Sequence, residues 1–224
     1  MKALGVKIEG VVFDLDGTLV DNIAFHFEAF RALASRLGLA TMDEATFQSF
    51  NGLKNEDIFP RFLGRELTSA EISALSDEKE ATYRALYAPK LVPHRGATEL
   101  LDRLCAAGVK LAVASSAPPA NRSMVLDGLA WSSRFDAVVA SEGLRGKPAP
   151  DIFLAAAERI GVAPGACVAF EDAANGIQAA AAAGMLVVGI TTNVPAATLV
   201  AAGARFTAPD FLSLPAELEA MLPA

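Results

Sequence analysis

Cysteine, positive charge and long apolar runs are all scarce in this chain, and each scarcity closes off a class of function. Only two cysteines occur among 224 residues. Cys105 falls in a helix candidate and Cys167 in a strand candidate, both among apolar neighbours where a free thiol packs as a small hydrophobe. Neither a disulfide nor a catalytic thiol is expected of them. Basic residues number 19 against 26 acidic ones, and the net charge of −7 argues against a nucleic-acid partner. Charged or turn residues interrupt every apolar run before the roughly 18 residues of a spanning helix, so no membrane partner is expected. Met1 to Gly10 carry one lysine before a short apolar pair and lack the apolar stretch of a secretory leader, which makes a cytoplasmic protein the expectation. Apolar residues are plentiful instead, at 53% against 20% charged, which excludes a disordered chain and suffices for a full core.

Residues 11–20 read VVFDLDGTLV, an apolar strand that runs into two carboxylates and a glycine turn. Ile23 to Leu37 is a helix candidate with Phe27, Phe30, Ala34 and Leu37 at helical spacing, stopped by Gly38. Polar helical stretches follow at Asp43 to Phe50, Asn55 to Leu63 and Ser69 to Tyr87. From Leu91 onward helices alternate with short apolar strands at Val109 to Ala114, Ala137 to Ala140, Ala166 to Phe170 and Met185 to Ile190. That alternation predicts an α/β fold, a parallel sheet with helices on both faces. The first strand belongs with the later ones by composition. The expectation is therefore a discontinuous core domain, residues 1–20 and 90–224, with a helical domain, residues 21–89, inserted at the carboxyl edge of the sheet. An insert in that place is positioned to act as a lid, with hinges near Val20–Asp21 and Ala88–Pro89.

Three more strands or loops end in polar residues. Ser115 and Ser116 follow Val113-Ala114, Glu171 and Asp172 follow Val168-Ala169-Phe170, and Lys147 opens a helix from a loop stiffened by two prolines. In a parallel sheet these ends face one edge, where Asp14, Asp16, Ser115, Glu171 and Asp172 would converge and Lys147 could reach them. Each has a plainer reading. Asp16-Gly17 is a common turn, Ser115 could be a turn serine, Lys147 a surface lysine, and Asp172 a helix cap that could also bind metal. Carboxylates from two strands without His or Cys make a hard oxygen site that favours Mg²⁺. A phosphoryl group suits the set, because its transfer needs positioning and charge compensation from a divalent cation, a lysine and serine or backbone donors. One carboxylate, Asp14, can attack phosphorus; a second, Asp16, can protonate the leaving oxygen and then deprotonate water.

With these segments in place the chain resembles the haloacid dehalogenase superfamily over nearly its whole length. The first motif is Asp14-Leu15-Asp16-Gly17-Thr18, the second Ser115, the third Lys147 and the fourth Glu171-Asp172. The resemblance implies a Rossmann-like core with a helical cap, and Mg²⁺-dependent hydrolysis of a small phosphate monoester through an aspartyl-phosphate. It further implies Asp14 as nucleophile, Asp16 as general acid/base, Leu15, Ser115, Ser116 and Lys147 as phosphate-binding residues, and Asp14, the Asp16 carbonyl, Asp172 and Glu171 around Mg²⁺. The expected partner is a small phosphorylated metabolite, bound by a monomer or weak dimer.

GKPAPDIF at residues 146–153 and EDAANGI at residues 171–177 are similar to the branch of β-phosphoglucomutases and small sugar-phosphate phosphatases. In that branch His26 matches a cap-helix histidine of the mutases, and Gly52, Leu53, Lys54 and Asn55 match a substrate-specificity loop. Asn55 stands where a phosphate-binding arginine would be expected, and an amide cannot replace a bidentate cation. Ala117, Pro118 and Pro119 stand where polar and basic residues would serve the same second phosphate, with Lys54 as a partial substitute. A sugar or polyol phosphatase is therefore preferred, with a sugar-phosphate mutase as the alternative. A dehalogenase would not need Asp16, and a phosphonate hydrolase would be expected to offer a cap lysine for a Schiff base and a different first motif. His94 has no motif behind it and reads as structural.

Overall fold

The computed structural model describes residues 7–40 and 42–223, so the leader reading at Met1 to Gly10 lies mostly outside them. Strand β1 (Gly10–Phe13) leads into α1 (Ile23–Arg36), α2 (Glu44–Gln48), α3 (Asn55–Leu63) and α4 (Ser69–Tyr87). Then come α5 (Ala97–Ala106), β2 (Lys110–Ser115), α6 (Pro119–Gly128), β3 (Ala137–Ala140), α7 (Asp151–Ile160), β4 (Cys167–Glu171), α8 (Ala174–Ala182), β5 (Leu186–Ile190), α9 (Ala196–Ala202), β6 (Phe206–Ala208) and α10 (Ala216–Glu219). The six strands form one parallel sheet in the order β3-β2-β1-β4-β5-β6. β1 is fully buried at the centre, which explains its unbroken apolar run.

Alternate residues of the strands supply two cores. Val11, Phe13, Leu111, Val113, Val168 and Phe170 pack against α5, α6 and the chain around Phe211, while Val12, Ala112, Ala114 and Ala169 face α7, α8 and α9. The small residues on the second face let the helices approach closely. β6 was not anticipated from the sequence; it has only three residues, two of them partly exposed, too short a run to carry a period.

Between β1 and α5 the described chain is helical, as its pattern predicts. α1 to α4 share a separate apolar cluster of Ile23, Phe30, Leu33, Met42, Phe47, Phe50, Ile58 and Phe59. This block sits over the carboxyl edge of the sheet, pinned by Ser116 Oγ donating to the Gly52 carbonyl at 3.3 Å and Asn175 Nδ2 donating to the Asn51 carbonyl at 3.0 Å. Cys167 is buried in β4 as expected, but Cys105 is exposed. Cys105 lies on the outer side of α5, whose inward positions are taken by Leu100, Leu101 and Leu104.

Candidate active site

The site begins where β1 stops. Asp14 N donates to the Phe170 carbonyl at 2.9 Å, so Asp14 still follows the ladder, and the next residues turn back: Leu15 O accepts from Leu19 N and Gly17 N donates to Val20 O. Gly17 sits at φ +83, a conformation that favours glycine, and a Cβ there would lie 2.2 Å from Asp172 Oδ2. Thr18 Oγ1 donates to the other oxygen, Asp172 Oδ1, at 3.1 Å. The first and fourth motifs are thus fitted together through the turn.

Registers bring the remaining motifs alongside. Phe13 pairs with Val113 on one side and Phe170 on the other, so Asp14, Ala114 and Glu171 stand in a row at the sheet edge. Lys147, 2% exposed, reaches this row from the loop before α7. Its Nζ lies 2.5 Å from Asp14 Oδ1 and 2.7 Å from Glu171 Oε1. Glu171 Oε2 accepts from Ala173 N at 2.6 Å. Both oxygens of Glu171 are therefore engaged, one fixing Lys147 and one the entry of α8. The direct contact with Mg²⁺ expected of Glu171 is not what this geometry favours. Nor is Asp172 the cap of α8, whose N-cap is Ala173.

Three carboxyl groups share one ammonium in this buried cluster, so with every group ionised its formal charge would be −2. Burial, opposed by Lys147 and assisted by Glu171, pushes the Asp14 carboxyl up to about 8. Burial with the charges of Glu171 and Asp14 raises Asp172 well above the usual carboxylate range. Burial alone would lower the Lys147 ammonium, but Asp14 and Glu171 more than offset it and the net shift is upward. Asp172 Oδ2 is buried with no hydrogen-bond partner among the described residues. An orphaned carboxyl oxygen in a cluster whose ionised form lacks compensating charge fits a hard divalent cation. No three His, Cys, Asp or Glu side chains among the described residues form a ready cage, so Asp14 and Asp172 would need main-chain oxygen or water to complete the shell. Mg²⁺ is commonly held in that way.

The Asp16 side chain faces the helical block. Its Oδ1 accepts from Asn22 Nδ2 at 2.5 Å and lies 3.9 Å from His26 Nε2. Fully buried Asn22 also donates to Tyr83 Oη at 2.6 Å and accepts from Gly17 N at 3.0 Å. The Tyr83 ring stacks on His26 with centroids 3.8 Å apart. Asp14, Asp16, Ser115, Ser116 and Asp172 all open on one cavity of about 90 Å³ beneath the helices. Leu15 is wholly buried and does not line the cavity, and its carbonyl accepts from Leu19 N and Val20 N within the turn, while Ser115 Oγ accepts from Ala117 N at 3.1 Å.

On the helical side the cavity is lined by His26, Gly52, Leu53 and Asn55, together with Phe30, Phe47, Phe50 and Ile58. Lys54 is the exception among the expected residues. Its Nζ bonds the Leu144 carbonyl at 3.3 Å and it borders a separate outer cleft, so it does not substitute for an arginine in the cavity. Sequence reasoning missed Asn22, Tyr83, Lys79 and Glu80. Lys79 and Glu80 are buried, ion-paired at 2.9 Å, and line the cavity. Their signal was the placement of 79/80, 83 and 87 on one side of α4, inside a helix whose overall polarity suggested a solvated face. Lys79 is a lysine in the helical segment, yet its nitrogen contacts Glu80 and His26 Nδ1, which does not suit a Schiff-base amine. His94 lies under the turn, with its N donating to Leu19 O at 2.8 Å.

The family model for haloacid dehalogenase-like hydrolases matches residues 8–184. The chain is 35% identical over 197 residues to the β-phosphoglucomutase of Bacillus subtilis strain 168, covering 84% of this chain and 85% of that protein. It is 36% identical over 184 residues to the fructose-1-phosphate phosphatase YqaB of Escherichia coli K12, covering 80% and 94%. Among solved structures, a β-phosphoglucomutase from Clostridium difficile has a TM-score of 0.83 at 27% identity, covering 96% of this chain and 97% of that one.

Proposed function

We infer that this chain, which belongs to the haloacid dehalogenase-like hydrolases, hydrolyses the phosphate monoester of a small sugar or polyol through an aspartyl-phosphate on Asp14. The observation that carries this reading is that two carboxylates with different surroundings open on one cavity. Asp14 is fixed by Lys147, and Asp16 is held apart from it by Asn22. Groups so differentiated can take the roles of nucleophile and proton carrier. In the first step an Asp14 oxygen bonds to phosphorus as the ester P–O bond breaks, and Asp16 gives its proton to the departing alkoxide. In the second, Asp16 takes a proton from water as that oxygen bonds to phosphorus and the Asp14–phosphorus bond breaks, which releases phosphate and regenerates the Asp14 carboxylate and the protonated Asp16.

Lys147 and Ser115, with main-chain N–H groups near Leu15, would compensate charge on the phosphoryl oxygens. Mg²⁺, held by Asp14, Asp172 and the Asp16 carbonyl, would neutralise the charge that otherwise opposes approach of a phosphate dianion to a carboxylate. Glu171 would act by holding Lys147. In the same reading residues 21–89 form a cap that opens for substrate and excludes water when closed.

Similarity to a β-phosphoglucomutase favours one alternative, a sugar-phosphate mutase. Against it stand Asn55, the donor-poor Pro118 and Pro119, and the outward course of Lys54. Phosphate release from a panel of sugar, polyol and nucleotide monophosphates with Mg²⁺ tests the reading, with β-glucose 1-phosphate and a bisphosphate activator run in parallel. Release from one or a few sugar or polyol phosphates is expected; isomerisation without release would establish the mutase.

A further inference from the structure

Glu80 is 4% exposed and its neighbour Lys79 3%, although adjacent helical residues point about 100° apart. Both are interior because α4 is covered by α1, by α3 and by the start of α6. Glu80 Oε1 accepts from Lys79 Nζ at 2.9 Å and Asn55 Nδ2 at 2.9 Å, and Oε2 accepts from Asn121 Nδ2 at 2.7 Å. Asn121, wholly buried at the start of α6, takes Arg84 Nη1 on its own oxygen at 2.9 Å. Burial would raise the Glu80 carboxyl, but Lys79, His26 and the amide of Asn55 hold it down at about 2.

Asn55 and Glu80 border both the 90 Å³ cavity and an outer cleft of about 690 Å³, so they stand in the partition between the two. On the inner side Lys79 is the cation and Glu80 cancels it. Arg84 borders the outer cleft, beyond the partition. A second anionic group on the substrate would enter the cavity beside a buried carboxylate with no cation left over, an arrangement that costs free energy in a poorly solvated site. A hydroxyl meets acceptors and donors from Glu80, Asn55 and Lys79, and the carbon chain meets Phe30, Phe47 and Ile58.

We propose that Glu80 is a specificity-determining residue. The Asn55–Glu80 partition, with Glu80 held from behind by Asn121, closes the substrate cavity to anionic tails and selects monophosphates of short, uncharged polyols or sugars. This rests on the phosphatase reading above.

The test compares kcat/KM for pairs matched in size: glycerol 3-phosphate with 3-phosphoglycerate, and erythritol 4-phosphate with 4-phosphoerythronate, each with Mg²⁺. The native chain is expected to prefer the neutral member by about tenfold or more. In Glu80→Gln the freed Lys79 charge should reduce that preference about tenfold, mainly through KM of the anionic member, and Glu80→Asp should restore it. Should Glu80→Gln fail to fold, Lys79→Gln decides, because an unpaired Glu80 must sharpen the preference. Equal turnover of both members by the native chain, or a ratio unmoved by these substitutions, overturns the proposal while leaving the phosphatase reading intact. Turnover of neither member of either pair, nor of any monoester, would overturn both.

Discussion

Replacing Asn22 by alanine removes three hydrogen bonds at once from a side chain with no exposed surface: Gly17 N to Oδ1 at 3.0 Å, and Nδ2 to Asp16 Oδ1 at 2.5 Å and Tyr83 Oη at 2.6 Å. Each buried group stripped of its partner costs about 1–3 kcal/mol, more where it is charged, and a water admitted to the vacated space recovers part of this. The expected loss of stability is about 2–4 kcal/mol, read as a shift in the urea midpoint at unchanged slope. The kinetic consequence is more specific. Freed of Asn22, the Asp16 carboxyl can swing toward His26, and a displacement of about 1 Å costs roughly 100-fold in a positioned reaction. Rapid-quench measurement of the first phosphoryl transfer should show about that loss with an alkyl phosphate, whose leaving oxygen needs a proton. With a nitrophenyl phosphate, which departs unaided, the loss should be less than about threefold. An equal loss with both substrates would refute the claim that Asn22 acts by positioning the proton donor.

Two further outcomes follow from the buried charges. Lys147→Ala leaves Asp14 and Glu171 unpaired, so it should abolish turnover and lower stability by about 3–5 kcal/mol in mildly alkaline buffer, and by less in acid, where carboxylates take up protons. Urea titration at the two pH values measures the difference. In the metal-free native chain, Asp14 is raised to about 8 and Asp172 is also raised, so above the ordinary carboxylate range the folded state binds more protons than the unfolded. Stability should therefore fall as pH rises toward 8, and Mg²⁺ should raise the melting temperature more at about pH 8 than at about pH 5. A metal effect independent of pH would contradict this.

The chemistry-bearing row was legible because each of Asp14, Ser115 and Glu171 terminates an apolar strand. In a parallel sheet such ends must share an edge whatever the order of the strands. Lys147 was legible only through its place between them. What the sequence did not disclose is direction. Lys54 and Asn55 are adjacent, yet one turns to the Leu144 carbonyl and the other to Glu80. Lys79 and Glu80 read as members of a polar helix, because burial of a charged pair depends on what two other segments bring to it. Asn22 carries no motif of its own in the sequence; its three partners come from the first-motif turn and, 61 residues away, from Tyr83. Glu171 and Asp172 could not be separated by spacing alone, and it took Lys147 and Ala173 to occupy one and leave an oxygen of the other bare.

The central claim is a covalent phosphoryl group on Asp14. Native chain mixed with a turned-over monoester and Mg²⁺, quenched in acid within milliseconds and digested for mass spectrometry, should carry one phosphoryl adduct on the peptide containing Asp14, absent in Asp14→Asn, which should be folded and inactive. Phosphate release at full rate with no adduct at any quench time, or substantial turnover by Asp14→Asn, would contradict the account.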